Sequence, residues 1–141
     1  MELEKALDIA RQQRNGVLVT QRADGRPQLS NIAYNVGDDG VVRISITADR
    51  AKAKNLARTP KASLYVGRDD FWAYLVLDAD AELSAVAAAA DDEAVEELIA
   101  LYRRVGGEHP DWDEYRQAMV DDKRQVVRLR PTHAYGMWAD G

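Results

Sequence analysis

Leu3, Ala6, Leu7 and Ala10 recur at the i, i+3, i+4, i+7 spacing of one helix face, so residues 2–14 are predicted to form an amphipathic helix. Asn15-Gly16 follows, and Gly16 is expected to supply the left-handed cap that ends it. Beyond this point the pattern shortens to β-branched runs cut by turn residues. Residues 17–20, 27–35 and 41–47 read as three strands, separated by the turn signals Ala23-Asp24-Gly25 and Gly37-Asp38-Asp39-Gly40. Regular spacing and tight turns predict an antiparallel meander. Within the second strand, Leu29, Asn31, Ala33 and Asn35 share one face, and Gln28, Ser30, Ile32 and Tyr34 share the other.

An alanine–lysine helix is predicted over 50–58 and is stopped by Thr59-Pro60, because the residue before proline avoids helical backbone. Residues 62–66, 72–77 and 79–85 read as further strands, the last two joined through Asp78. The alanines at 87–90 followed by Asp91-Asp92 predict a helix start, with Val95, Leu98, Ile99 and Tyr102 as its apolar stripe and Gly106-Gly107 as its end. A second helix is expected over 111–121, carrying Trp112, Tyr115 and Met119 on one stripe. Residues 125–129 and 134–137 are expected to be closing strands on either side of Pro131. Six or seven antiparallel strands leave two exposed edges unless they close, so the predicted fold is mainly β, a small barrel with peripheral helices.

Length and composition narrow the classes. The 141 residues are predicted to form a single domain, 1–141, long enough to bury roughly two-thirds of the unfolded surface. The absence of cysteine removes a disulfide scaffold, a thiolate nucleophile and a cysteine-ligated metal cluster. Acidic residues outnumber basic ones 24 to 19, giving a net charge of −5, the wrong sign for a generic nucleic-acid binder. No apolar run approaches the roughly 20 residues of a membrane span, and the N-terminus is charged, so a cytoplasmic protein is expected, with no nucleic-acid or membrane partner.

Within this acidic chain, Asp49-Arg50-Ala51-Lys52-Ala53-Lys54-Asn55 is the densest basic cluster. Arg50 and Lys52 would share a face of extended chain, and a helix start adds free backbone N–H groups, so the run could hold a phosphate. Taken alone, such a run is more often a solvated helix face. Gln28, Ser30, Asn31 and Asn35 put hydrogen-bonding groups on both faces of one strand, which suits either a ligand wall or an exposed edge strand. Trp72 and Tyr74 are expected on one strand face, as core, as an interface, or against a planar ligand. His109 and His133 lack cysteine partners or metal-ligand spacing, so no metal site is expected. No nucleophile elbow, Walker loop or GxGxxG fingerprint is present.

Taken in order, Gly25-Arg26-Pro27-Gln28-Leu29-Ser30-Asn31, Ser45, Arg50-Ala51-Lys52, Trp72-Ala73-Tyr74 and the segment 108–119 resemble the pyridoxamine 5′-phosphate oxidase-like split β-barrel superfamily. Within it they look most like the actinobacterial branch of flavin and deazaflavin oxidoreductases, many of which use coenzyme F420. The resemblance implies a homodimer of antiparallel, six- to seven-stranded split barrels, with two cofactor sites at the interface. Arg50 and Lys52 would then hold the cofactor phosphate, with Ser45 nearby. Gln28 and Asn31 would line the ring and ribityl region, and Trp72 and Tyr74 would come from the other subunit. Lys54, with Arg58 beside it, would meet the anionic tail of F420. The cofactor performs the hydride chemistry while the protein orients and shields it, and no catalytic acid or base carries over. The expected activity is an F420-dependent reductase delivering hydride to a small electron-poor organic acceptor. The alternatives are an FMN-dependent flavoprotein of the same barrel, including pyridoxamine 5′-phosphate oxidation, or a non-enzymatic barrel that holds F420 or haem.

Overall fold

The computed structural model describes residues 1–139. In chain order the elements are α1 (Leu3–Arg11), β1 (Asn15–Gln21), β2 (Pro27–Ala33), β3 (Asn35–Val36), β4 (Val42–Thr47), α2 (Ala51–Arg58), β5 (Lys61–Gly67), β6 (Tyr74–Leu83), α3 (Glu93–Gly106), α4 (Trp112–Asp121) and β7 (Arg124–Met137). All seven strands join one antiparallel sheet in the order β2-β1-β5-β6-β7-β4-β3. The two edge strands, β2 and β3, are separated in sequence by Tyr34 alone. A single residue spans only about 3.5 Å, so the two edges must lie side by side and the sheet must curl into a split barrel.

The inner face follows the period-two pattern. Leu18, Val42, Ile44, Ile46, Leu64, Leu75, Leu77, Val127 and Leu129 meet in one buried cluster. The Ala6, Leu7, Ala10 stripe of α1 closes part of it, and Ala53 and Leu56 of α2 add to it. Tyr34 is 2% exposed and its hydroxyl donates to Ala10 O at 2.8 Å, which ties α1 to the link between the sheet edges.

Four expectations need correction. Gly16 does not cap α1. It lies within β1 opposite Ile32, where a Cβ would come within 2.7 Å of Tyr65 O, so its missing side chain allows β5 to approach. The segments 72–77 and 79–85 form one strand that starts only at Tyr74, and 125–129 and 134–137 form one strand, β7. Asp78 pairs with His133 and Ala79 with Pro131, so Thr132 is the extra residue of a bulge. A bulge is where a strand tolerates proline. The alanines at 87–90 are not helical. Ala88 N and Ala89 N both donate to the Asp92 carboxylate, which also accepts from Val95 N as the cap of α3. Trp72 lies outside the sheet, in a turn where Asp70 accepts from Trp72 N and from the Arg68 guanidinium.

On the outer face, α3 and α4 cover β4 and β7 through Val95, Leu98, Ile99, Tyr115, Met119 and Val126. Arg43 and Arg128 lie directly opposite each other on that face. Glu97 of α3 neutralises both: it receives Arg128 Nε at 2.8 Å and lies 3.5 Å from Arg43 Nε. The hydrogen bond from Arg128, set against burial, holds the Glu97 carboxyl below its usual 4.5. A depressed carboxylate stabilises the fold above its unfolded pKa and loses that contribution as pH falls through its folded value. Glu97→Gln is expected to cost about 1–2 kcal/mol at pH 7, between a surface pair and a fully buried one. Below pH 4.5 the gap between variant and wild type should shrink. Thermal melts from pH 7 to 3 check this, and parallel curves would contradict it.

Candidate functional site

The outer face of β4 carries Arg43, Ser45 and Thr47, and in register across from them β7 carries Arg128, Val126 and Arg124. At the Arg43–Arg128 end α3 packs down and supplies Glu97. At the opposite end a cleft of about 430 Å³ opens between this face and the two helices. Leu98, Leu101, Tyr102 and Val105 of α3, with Tyr115 and Met119 of α4, form its apolar wall. The floor is polar, made of Ser45, Lys52 and Arg124, and the exposed strand β2 forms the rim with Asn31, Ile32 and Ala33.

The wall is stiff. Tyr102, His109, Trp112 and Tyr115 stack with centroid separations of 5.0 to 5.7 Å. Tyr115 Oη donates to Leu98 O at 3.1 Å, joining α4 to α3, and burial pushes that hydroxyl up to about 12.

The floor is unusual for its charge. Arg50, Lys52 and Arg124 form no ion pair among the described residues, although the chain is acidic overall. Burial lowers the Lys52 ammonium below the ordinary lysine value, and the nearby positive charges of Arg50 and Arg124 push it down further. Arg50 is the N-terminal cap of α2, two residues from Lys52, and faces a shallow hollow with Thr47, Asp49, Asp121, Asp122 and Lys123.

The sequence-derived site residues therefore divide. Asn31, Ser45 and Lys52 line the cleft and Arg50 stands beside Lys52. Gln28 lies farther along β2, opposite Thr20 and outside the cleft lining. Trp72 and Tyr74 do not share a strand face. Trp72 is 82% exposed in its turn, next to Phe71 at 80%, whereas Tyr74 is half-buried and stacks on Tyr65 at 5.8 Å. Tyr65 and Phe71 border a second hollow, of about 620 Å³, whose wall includes the same Asn31, Ile32 and Ala33. Strand β2 is indeed an open sheet edge, and it is also the rim shared by both hollows. The sequence reading missed Arg124, Tyr102 and Tyr115. Arg124 carries no motif, and only the β4–β7 register brings it to Ser45.

The pyridoxamine 5′-phosphate oxidase family matches residues 3–138, and the chain belongs to that family, whose members bind flavins and include oxidoreductases. Among solved structures it is similar to a conserved hypothetical protein of Mycobacterium tuberculosis, at 25% identity over 97% of this chain and 84% of that one, with a TM-score of 0.72. It is also similar to a protein described as an F420 reductase, at 25% identity over 86% of this chain and 89% of that one, with a TM-score of 0.64. HutZ, the heme storage protein of Vibrio cholerae, shares the fold at 23% identity over 97% and 96% of the two chains, with a TM-score of 0.69. No helix among the described residues is long and apolar enough to cross a membrane.

The depressed Lys52 ammonium gives a direct check of the cleft's electrostatics. Lys52 is expected to react with an amine-directed acylating reagent at lower pH than a free lysine side chain such as N-acetyl-lysine amide. Peptide mass spectrometry across pH 7 to 10 reads the order, and equal profiles would mean that neither burial nor the Arg50 and Arg124 charges lower the Lys52 ammonium.

Proposed function

We propose that the protein is an F420-dependent oxidoreductase, acting as a homodimer, that uses reduced cofactor to deliver hydride to a small electron-poor organic acceptor. The observation that carries this reading is the cleft itself: two half-buried cations and a hydroxyl with no carboxylate in its lining, continuous with an apolar aromatic wall. A floor built only of hydrogen-bond donors and positive charge fits a phosphorylated ligand, and an apolar wall fits a planar ring system. Likeness to the F420 reductase supports the choice of cofactor.

In this reading Lys52 holds a phosphate oxygen as a point charge, and Arg50, beside it in the adjoining hollow, would have to turn its planar fork toward the same group. Ser45 adds a hydroxyl, and Asn31 presents its amide at the rim toward the ring. Gln28 would act farther along the same strand. The guanidinium of Arg58 is already engaged by Gln21 O and Asn55 Oδ1, so of Lys54 and Arg58 it is Lys54 that is open to an anionic tail. Bound F420 supplies the hydride chemistry. The chain's own part is to orient it, neutralise its phosphate, and exclude water along Leu98, Leu101, Tyr102 and Met119.

The exposed aromatics carry the assembly. Phe71 adopts a left-handed backbone, φ 73°, and with Trp72 it projects from the turn that Asp70 fixes. Met137, paired with Tyr74, is 71% exposed on the neighbouring strand. Such a patch rarely stays bare on a soluble protein. A second copy would cover it and bring Trp72 and Tyr74 to the cleft's open rim. Light scattering should report a dimer, with a total buried interface above roughly 2,000 Å². Trp72→Asp should shift it toward monomer and weaken cofactor binding. A wild-type monomer that binds cofactor normally contradicts the assembly.

An FMN-dependent oxidase reading is favoured by the family's name, and the same cations would hold its phosphate. A haem-binding reading has less support in the geometry, since neither His109 nor His133 lines the cleft. Titration of FMN against F420, followed by tryptophan quenching, separates the cofactors, and a yellow protein as purified would favour FMN. Lys52→Ala and Arg50→Ala are each expected to weaken F420 binding by about 10- to 150-fold, the equivalent of one charged hydrogen bond. Added salt should weaken wild-type binding too. If the run is only a solvated helix face, both variants bind like wild type.

A further inference from the structure

Arg43, Arg124 and Arg128 share one face of the β4–β7 pair, and their surroundings differ sharply. Arg128 is held by Glu97 and Glu82, and Arg43 by Asp39 and Glu97. Arg124 has no carboxylate. Its Nη1 reaches Ser45 Oγ at 3.5 Å, the long limit of a hydrogen bond. Its Nε is the single buried side-chain nitrogen or oxygen without a partner among the described residues. A guanidinium carries five donors and cannot shed its charge, so a buried, unanswered Nε next to Lys52 is unfavourable in the ligand-free protein. The acids closest in sequence, Asp121 and Asp122, face the separate hollow of Arg50 and Lys123.

Resting on the proposed function, we infer that Arg124 is a ligand-holding residue of the cleft, whose guanidinium takes a phosphoryl oxygen of the bound molecule between Lys52 and Ser45. Three observations agree on this. Arg124, Lys52 and Ser45 line the same cleft. Ser45 Oγ accepts from Arg124, which leaves the Ser45 O–H free to donate to an anion. Every polar side chain on the floor is then a donor, so the missing partner is an acceptor with several oxygens. A phosphate ester meets that description, whether the monoester of FMN or the diester of F420, and one oxygen of either satisfies the buried Nε.

Arg124→Met keeps the unbranched stem as far as the position of Nε and removes every donor, and Arg124→Lys keeps the charge but loses the fork. Binding of F420 and of FMN is measured for both variants and for Lys52→Ala, with inorganic phosphate as competitor. Arg124→Met should weaken whichever cofactor the wild type binds by about 10- to 100-fold and lower the potency of phosphate as a competitor. Its ligand-free melting temperature should hold or rise, because an unpaired buried donor is gone. Arg124→Lys should bind between Arg124→Met and wild type. Wild-type affinity in Arg124→Met, with binding weakened in Lys52→Ala, overturns the inference and leaves the cofactor reading standing. Wild-type affinity in all three variants overturns the cofactor reading itself. If Arg124→Met fails to fold, Arg124 is holding the structure together and wild-type affinity in Arg124→Lys overturns the inference. A further readout needs no ligand: with Arg124 replaced by Met, Lys52 should lose a neighbouring positive charge and react with acylating reagent only at higher pH than in wild type.

Discussion

The one-residue link at Tyr34 is the constraint on which the rest of the molecule depends. A seven-stranded antiparallel sheet could lie open with its edges far apart, but β2 and β3 occupy opposite ends of the strand order and are adjacent in the chain. Their separation is fixed by covalent geometry, not by packing. Curling follows, and with it the inside–outside distinction that gives every strand its alternation. Tyr34 is held from two sides, by its backbone N–H to Arg14 O and by its hydroxyl to Ala10 O, so α1 acts as the brace of the link. The same closure brings the free side of β2 within reach of β4, and this is where the cleft forms.

Charge on the outer face is graded along the strands. At one end, arginines placed cross-strand would repel, and Glu97 from α3 relieves both. At the other end no acid of α3 or α4 pairs with Lys52 or Arg124 among the described residues, and burial together with the charges of Arg50 and Arg124 lowers the proton affinity of Lys52. The net charge of −5 says nothing about this pocket, because screening confines the acidic surface's influence to about 10 Å while the cations lie within a desolvated recess. An acidic protein can therefore carry a strongly anion-seeking site.

Most of the strands and helices were legible in the sequence because their signals are local. The runs at 41–47 and 62–66, the helical stripe of Val95, Leu98, Ile99 and Tyr102, and that of Trp112, Tyr115 and Met119 all act within a few residues. Signals that depend on register were misread. Gly16 looks like a cap until β5 is placed against it, and Pro131 looks like a strand break until Thr132 is seen to bulge. Asp92 drew the preceding alanines into a loop because a carboxylate accepting three N–H groups outweighs alanine's modest helix preference. Part of the cleft was anticipated: Lys52 stands in a local basic cluster, and Ser45 and Asn31 were pointed to by the family resemblance. Arg124 comes from a strand 79 residues beyond Ser45, and its partnerless nitrogen is a property of packing alone.

Two features of the free chain are unfavourable, and they lie on either side of the same strand. Lys52 and Arg124 repel in a recess that lacks a counter-charge, while β2 offers an unpaired edge with Leu29 at 60% exposure. Open apolar edges invite association, and natural sheets usually blunt them with charge or proline. Here Pro27 guards only the first residue of β2, and the stretch from Leu29 to Ala33 carries no charge. Both costs would be removed by the proposed binding, one by an anion and the other by a covering surface. A ligand that binds only the folded state stabilises it by RT ln(1 + [L]/Kd), about 2.7 kcal/mol at a hundredfold excess over Kd. Relief of repulsion enters through Kd itself, so a site that is strained when empty holds its anion more tightly only if the strain is released on binding. The donors of the floor would meet that condition, because Arg124, Lys52 and Ser45 are already gathered at one cleft by β7, α2 and β4, which lowers the ordering cost of taking up one phosphoryl group.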